Sequence, residues 1–457
     1  MDKIKLLQAR KSQILNAGKK IREEINALID EDSFVELSAF SFSKNAFYGK
    51  DAEGEGVVTG FATINGYPFY IVAQNSEVLS GGVSKANCQK IAKCIEQAEK
   101  NETPIIYLAN TQGVQIGEGV NVLEGLATLL LKATQLKGTI PQYLIVNGEV
   151  YGQIAILAGA CDFTFFIKEK SVLAANSPLV ISATSGKNLN KFEIGGVQGL
   201  DKTQLATFVV NDLTEVKNKI LQISEIISTV EVDCDQLNES IPELNIKASL
   251  DNLLKIFDKD DVIELGANYC PAVKTYLGRI GGISAAVAIF NDGEDVGLNA
   301  ETVRKLKDFA EFACCYDLPY ITLVNTKGIY PCMNANNSLV IRELTEYISI
   351  LDCIHTAKIS VVYGKAIGLG YTVFAAKSMG YDYSYAFANA KIALFDSVQG
   401  AEIEFANENA DKEQLAQRYA DENSDPINAA NGGYIDNVIE PAFVKQYLIA
   451  SLQMLVK

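Results

Sequence analysis

Histidine is nearly missing from this chain: among 457 residues only His355 carries an imidazole. A Ser-His-Asp or Cys-His site is thereby confined to one place, and no Gly-x-Ser-x-Gly elbow accompanies any serine. A three-histidine zinc site is excluded, and no metal site is expected. His355 stands in Leu351-Asp352-Cys353-Ile354-His355-Thr356-Ala357, at a helix-to-strand boundary, where a cap or core-edge role suits it. No Gly-x-Gly-x-x-Gly follows a first strand, so a Rossmann unit is not indicated. The nine cysteines, at 88, 94, 161, 234, 270, 314, 315, 332 and 353, contain no Cys-x-x-Cys pair. Their odd number, with no secretory segment in the charged stretch Met1 to Leu28, points to a reducing cytosol. No run reaches the roughly 18 apolar residues a membrane span requires, so any membrane association is expected to be peripheral and through a partner. Clustered basic residues are also scarce: 40 Lys and Arg face 56 Asp and Glu, a net charge of −16. That balance argues against nucleic acid as a partner, while a local basic patch can still receive an anionic small molecule.

What is present is a duplication. Thr103-Pro104-Ile105-Ile106-Tyr107-Leu108-Ala109-Asn110-Thr111-Gln112-Gly113 is answered by Leu318-Pro319-Tyr320-Ile321-Thr322-Leu323-Val324-Asn325-Thr326-Lys327-Gly328, 215 residues later. Ile64-Asn65-Gly66 is answered by Ile280-Gly281-Gly282, and Gly148-(x)3-Gly152 by Gly364-(x)3-Gly368, both 216 residues later. Three anchors at nearly one spacing predict two homologous domains, and the chain is long enough for two cores.

Apolar spacing predicts a leading helix or two over 3–29, then a hairpin through Val57–Ile64 and Phe69–Ala73 turned by Asn65-Gly66. A helix over Lys85–Glu99 follows, then a strand Ile105–Ala109, a glycine-rich loop Gly113–Gly119 and a helix Val122–Lys137. A strand Tyr143–Val146 is expected to give way at Gly148 to an apolar helical segment Gly152–Ala160. Lys217 to Ile227 reads as helix, and the polar, acidic stretch after it marks the domain boundary, near 228–260. The second domain repeats the order: strands around Ser284–Phe290, a helix Ala300–Tyr316, a strand Tyr320–Val324, a helix Ile341–Leu351, a strand Ile359–Val362, and a loop and helix from about Gly364. The class is α/β, with sheets covered by helices.

Twice, then, a strand is followed by glycine and a helix start. Glycine allows close backbone approach, and the first helical turn leaves amide N–H groups unpaired. Such amides can stabilise an oxygen that turns negative in a transition state without any titratable side chain. The candidate donors are Gly152 and Gln153 in the first copy and Leu369 and Gly370 in the second. The alternative is that these glycines simply let helices pack close to strands.

These residues resemble the carboxyltransferase subunits of biotin-dependent acyl-CoA carboxylases and decarboxylases. The similar segments run in order along the chain: Gly54 to Gly60, Ser80-Gly81-Gly82, Ile116-Gly117-Glu118-Gly119, Gly138 to Gln142, Lys365 to Tyr371, and Ala429 to Ile439. The resemblance implies two crotonase-like (ClpP/crotonase) ββα-spiral domains, 1–235 holding an acyl-CoA and 236–457 facing biotin on a separate carrier protein. It implies an oxyanion hole for the thioester enolate at Gly152 and Gln153, and one for the biotin ureido oxygen at Leu369 and Gly370. Gly81, Gly82, Gly113, Gln115, Gly368, Tyr371 and Thr372 are the matching ligand-binding positions. The implied partners are the biotin carrier protein, a biotin carboxylase or a membrane decarboxylase subunit, and further carboxyltransferase chains in a dimer or hexamer, homo- or hetero-oligomeric.

The chain departs from the family pattern at several points. Gln115 stands in place of arginine, Gln153 in place of the second glycine of the first hole, Thr372 in place of aspartate, Asn325 in place of aspartate and Lys327 in place of proline. These departures also suit a noncatalytic structural or regulatory paralogue, and a further alternative is a biotin-independent acyl-CoA enzyme, a lyase or hydrolase using only the first hole. Lys85, Lys90, Lys187 and Lys191 are candidates for CoA phosphates, or else solvated surface residues.

Overall fold

The structure is a computed structural model that describes residues 3–41, 52–228, 237, 239–259, 261–291, 297–329, 338–408 and 410–456. The chain forms two compact units, 1–224 and 225–457. Much of the acidic stretch expected to mark the boundary lies outside the described residues.

The first unit holds β1 (Val35–Leu37), β2 (Val57–Ile64), β3 (Tyr67–Gln74), β4 (Ile105–Thr111), β5 (Gln142–Tyr151), β6 (Phe163–Ile167), β7 (Val172–Ala174) and β8 (Phe208–Val210). They form one sheet in the order β1-β2-β3-β4-β5-β6-β8, with β7 paired to β5. The second unit holds β9 (Val262–Leu265), β10 (Val273–Ile280), β11 (Ile283–Phe290), β12 (Tyr320–Thr326), β13 (Lys358–Ile367), β14 (Tyr383–Phe387), β15 (Lys391–Ala393) and β16 (Asn437–Ile439). Its order, β9-β10-β11-β12-β13-β14-β16 with β15 on β13, repeats the first strand for strand. In each unit the first three strands are antiparallel and the later pairings are parallel. The parallel connections run through helices, as chain geometry requires.

The anchors of the sequence repeat have physical counterparts. The Asn65-Gly66 turn is held by Asp30, which accepts from both amides at 2.8 and 2.9 Å and from the Thr63 hydroxyl at 2.7 Å. The Gly66 amide, then Thr63, hold this carboxyl below its usual range. Asp258 accepts from the Gly281 and Gly282 amides at 2.9 and 2.7 Å in the second unit. The helices Lys85–Lys100 and Ala300–Cys315 are each capped by a polar side chain, Ser84 accepting from Asn87 N and Asn299 from Thr302 N. Ile91, Cys94, Ile95 and Ala98 form the buried stripe of the former.

Two expectations fail: β5 does not stop at Val146 but runs through Gly148 to Tyr151, and β13 does not stop at Val362 but runs through Gly364 to Ile367. The register between β4 and β5 shifts past Ala109, and the Asn110 side chain lies against Gly148, where a Cβ would sit 2.6 Å from Asn110 Cγ. Gly148 is thus a close-approach glycine inside a strand rather than a strand end. Gly364 lies against Asn325 in the same way within β13, and Asn325 Oδ1 accepts from Lys365 N at 2.9 Å.

Candidate functional site

Both halves of the Asn-Thr-x-Gly motif fold alike. Beyond the asparagine, the threonine hydroxyl accepts the glycine amide two residues on: Gly113 N donates to Thr111 Oγ1 at 3.1 Å and Gly328 N to Thr326 Oγ1 at 3.2 Å. The glycine carbonyl is then met by the chain leaving the preceding strand, through Val83 N at 2.9 Å and Leu298 N at 2.8 Å. Each turn thereby lies beside the end of β5 or β13. A Cβ on Gly113 would come 3.4 Å from Tyr151 O, and one on Gly328 2.8 Å from Ile367 O.

In the first unit Gly81, Gly82, Gly113 and Gln115 come together around this turn. The Gln115 side chain lies on Gly82 and donates to Leu79 O at 3.2 Å, while Gln115 N donates to Val83 O at 2.8 Å. Gly81 packs against the Asn110 carbonyl with no room for a Cβ. These four residues build the wall of the site with their backbones.

The strand then ends on Gly152, at φ 82° and ψ −155°, as β13 ends on Gly368, at φ 54° and ψ −120°. Both conformations belong essentially to glycine. Gly152 N donates to Ala174 O at 3.1 Å, and Gly368 N to Ala393 O at 2.9 Å. The Gly152 amide is therefore committed to β7 and cannot serve as the expected donor. The helical turns that follow accept first at the glycine carbonyls, from Ala155 N at 3.0 Å and from Tyr371 N and Thr372 N, each at 3.1 Å. That leaves the amides of Gln153 and Ile154 ahead of the first intrahelical donor, Ala155 N, and those of Leu369 and Gly370 ahead of Tyr371 N. The candidate pair of amides in the first unit is thus Gln153 and Ile154, one residue on from the expected Gly152 and Gln153. The repeat itself carried the signal, because Leu369 and Gly370 lie 216 residues after Gln153 and Ile154. The first member of each pair is exposed, Gln153 and Leu369, and the second is buried, Ile154 and Gly370.

Around the second pair, Tyr371 is half-buried and donates to Tyr434 O at 3.2 Å. Burial raises its phenol, so it stays neutral. Thr372 is exposed, and its hydroxyl turns back to Gly368 O at 3.2 Å. Among the described residues no group of three or more His, Cys, Asp or Glu could hold a metal ion.

The Carboxyl transferase domain family model matches residues 15–457. The chain belongs to this family. It is 28% identical over 444 residues to the propionyl-CoA carboxylase beta chain of Cereibacter sphaeroides, a match covering 92% of this chain and 87% of that protein. It is 26% identical over 494 residues to the methylmalonyl-CoA decarboxylase subunit alpha of Propionigenium modestum, covering 99% and 96%. In fold it is similar to a crystal structure of transcarboxylase 12S with methylmalonyl-coenzyme A and methylmalonic acid bound, with a TM-score of 0.91, 24% identity, and coverage of 99% of this chain and 95% of that one. Carboxyl transfer, the activity that the resemblance implied, is that of the family.

For this carboxyl transferase chain, two of the four candidate lysines are already occupied. Lys90 is buried, not solvated: its Nζ donates to Gly54 O at 3.0 Å and Val57 O at 2.6 Å. Burial pushes it down to about 8. Its counterpart Lys305, 215 residues on, donates to Gly266 O and Tyr269 O at 3.1 and 2.7 Å and is also pushed down to about 8 by burial. Lys191 pairs with Glu149 at 2.7 Å, and Gln112 donates to the same carboxylate at 3.2 Å. Burial raises the Glu149 carboxyl, but these donors outweigh it and hold it below the usual range. Lys85 is half-buried and Lys187 exposed. Sequence reasoning missed Ile154, Thr111, Thr326 and Glu149.

Proposed function

We propose that this chain is the carboxyltransferase component that moves a carboxyl group between biotin on a carrier protein and the α-carbon of a small acyl-CoA. The observation that carries the reading is the pair of equivalent amide sites, Gln153 with Ile154 and Leu369 with Gly370, each following a glycine that only its unusual backbone angles can place. Breaking the carbon–carbon bond of a carboxylated acyl-CoA leaves an electron pair that the thioester oxygen takes up. Two fixed N–H groups stabilise that charge most when it is fullest, in the transition state. The first unit fits this part, because Gln153 N and Ile154 N have no intrahelical acceptor and Gly152 brings the backbone close. The second unit fits a urea oxygen in the same manner, through Leu369 N and Gly370 N, with Tyr371 alongside as a neutral phenol. Biotin, when bound, supplies the nitrogen that gives or takes the carboxyl group.

The two sites must meet for transfer to occur, which calls for an assembly of several chains. The segments leaving β7 and β15, next to each hole, support this: Leu179 and Val180 are 80% and 50% exposed, and Leu394 and Val398 70% and 56%. The transcarboxylase 12S structure is described as a hexamer, and a hexamer of this chain is the assembly we propose. Among the described residues no helix is long and apolar enough to cross a membrane. We place the chain in the cytoplasm, with a biotin carboxylase or a membrane-bound decarboxylase subunit as partner.

Incubating the purified chain with malonyl-, methylmalonyl- and glutaconyl-CoA and free biotin, and following loss of the carboxylated thioester, tests the reading. Biotin-dependent turnover of at least one ester is expected. A folded protein inert toward the whole panel, or equally active without biotin, overturns it.

A further inference from the structure

The helix Lys3–Ala17 carries four basic residues, Lys3, Lys5, Arg10 and Lys11, and no acidic one, in a chain of net charge −16. Only Ile14 of this helix is buried. Ile4, Leu7 and Leu15 lie on one side of it and are 66%, 47% and 52% exposed. Lys3, Lys5 and Lys11 have no ion-pair partner among the described residues. A helix this short gains little from propensity alone and is held by packing of an apolar face, so these side chains need a cover.

The second unit presents a surface of the opposite kind. The helices Ser397–Glu404 and Lys412–Asn423 pack as a hairpin on a small cluster of their own, Ala401, Phe405 and Tyr419. Residues 401–425 contain eight acidic side chains against two basic ones. Lys412 and Arg418 neutralise Glu402, Glu408 and Glu422, at 3.0 Å each. Glu404, Asp411 and Glu413 form no ion pair among the described residues and stand exposed beside Ile403, which is 62% exposed.

We propose that the basic helix Lys3–Ala17 of one copy docks on the acidic hairpin 397–423 of a second copy, with Ile4 and Leu7 against Ile403 and the three lysines facing Glu404, Asp411 and Glu413. The occupant is a second copy because both complementary surfaces belong to this chain. An anionic membrane would repel the rest of so acidic a molecule while attracting the helix. Ion pairs of this exposed kind are screened by salt, so the contact weakens as ionic strength rises. The inference does not depend on the carboxyl-transfer reading.

The test is the mass of the full chain in solution by mass photometry at low and high salt, for the wild type, for K3E/K5E/K11E, for E404K/D411K/E413K, and for the chain carrying all six changes. Each triple variant is expected to dissociate at roughly tenfold higher concentration or more than the wild type, and the sixfold charge swap to restore assembly. All changed side chains are exposed, and an unchanged melting temperature confirms that the fold is kept. Assembly unaltered by either triple variant, or not restored by the swap, overturns the proposal. So does flotation of the wild type, but not of K3E/K5E/K11E, with phosphatidylglycerol vesicles, which assigns the helix to a lipid surface instead.

Discussion

Gly370 faces a methyl group, not open space. A Cβ there would lie 2.5 Å from Thr326 Cγ2 and 3.6 Å from Gly328 N. The threonine hydroxyl must stay where it is, because it accepts the Gly328 amide. Gly370→Ala therefore pushes the second amide pair away from the turn that walls it, and transfer activity falls at least tenfold. Thr326→Ser keeps the hydroxyl and removes the colliding methyl, so activity returns in the double variant. Residues in direct contact couple by about 0.5–3 kcal/mol, and a double-mutant cycle on unfolding free energy and turnover reads that coupling. Gly152 differs, since a Cβ there meets nothing within 4 Å. Its substitution acts through the backbone alone: Gly152→Ala forces φ away from 82°, at a strain of about 1–3 kcal/mol. The loss is expected in turnover, with a smaller fall in melting temperature than Gly370→Ala produces.

At the scale of elements, most strands and helices were legible because the hydrophobic pattern is local and the anchors recur at one spacing. The paths of β5 and β13 were not, because the feature that carries them past Gly148 and Gly364 is an asparagine on the neighbouring strand, distant in sequence. The commitment of Gly152 N to Ala174 O was illegible for a related reason: it lies across a strand pairing that periodicity does not reveal. The buried lysines were hidden because their acceptors are backbone carbonyls, which every residue possesses. Lys90 fastens the helix Lys85–Lys100 to Gly54 ahead of β2 and to Val57 at its start, and Lys305 fastens the helix Ala300–Cys315 to the loop ahead of β10. Lys90→Met leaves two carbonyls without that donor, and roughly 1–3 kcal/mol of stability is expected to go. The pH dependence has a definite sign. With its folded-state value near 8 and an ordinary value of 10.5, Lys90 releases its proton in the folded chain first. The unfolded chain then binds more protons between those limits, so this lysine makes stability rise with pH across the window. Urea unfolding at pH 7.5 and pH 9.5 is expected to show a wider gap between wild type and Lys90→Met at the higher pH.

The whole molecule uses one architecture twice, and the two copies differ in charge beside the candidate amide pairs. Position for position, Gln112 and Glu149 of the first unit are replaced by Lys327 and Lys365 of the second. Glu149 pairs with Lys191 at 2.7 Å, and Lys365 with Asp396 at 3.2 Å, so the sign of the charge behind the strand end is reversed. Equal backbones with opposite polar surroundings suit two ligands sharing only an oxygen that gains charge. If the first site holds the thioester and the second the urea, damage to each should appear in different constants. Gly152→Ala, by displacing the Gln153 and Ile154 amides that follow it, is expected to lower turnover at saturating biotin by up to the roughly 10²–10³ in kcat that loss of one oxyanion donor typically costs. Gly368→Ala, whose Cβ would come 3.2 Å from Leu394 O, is expected to raise the KM for biotin while the acyl-CoA dissociation constant, read by calorimetry, stays within about twofold, far below the tenfold that 1.4 kcal/mol represents. Should both variants weaken acyl-CoA binding alike, the two holes do not divide the substrates between them, and the duplication is one of fold without a division of chemistry.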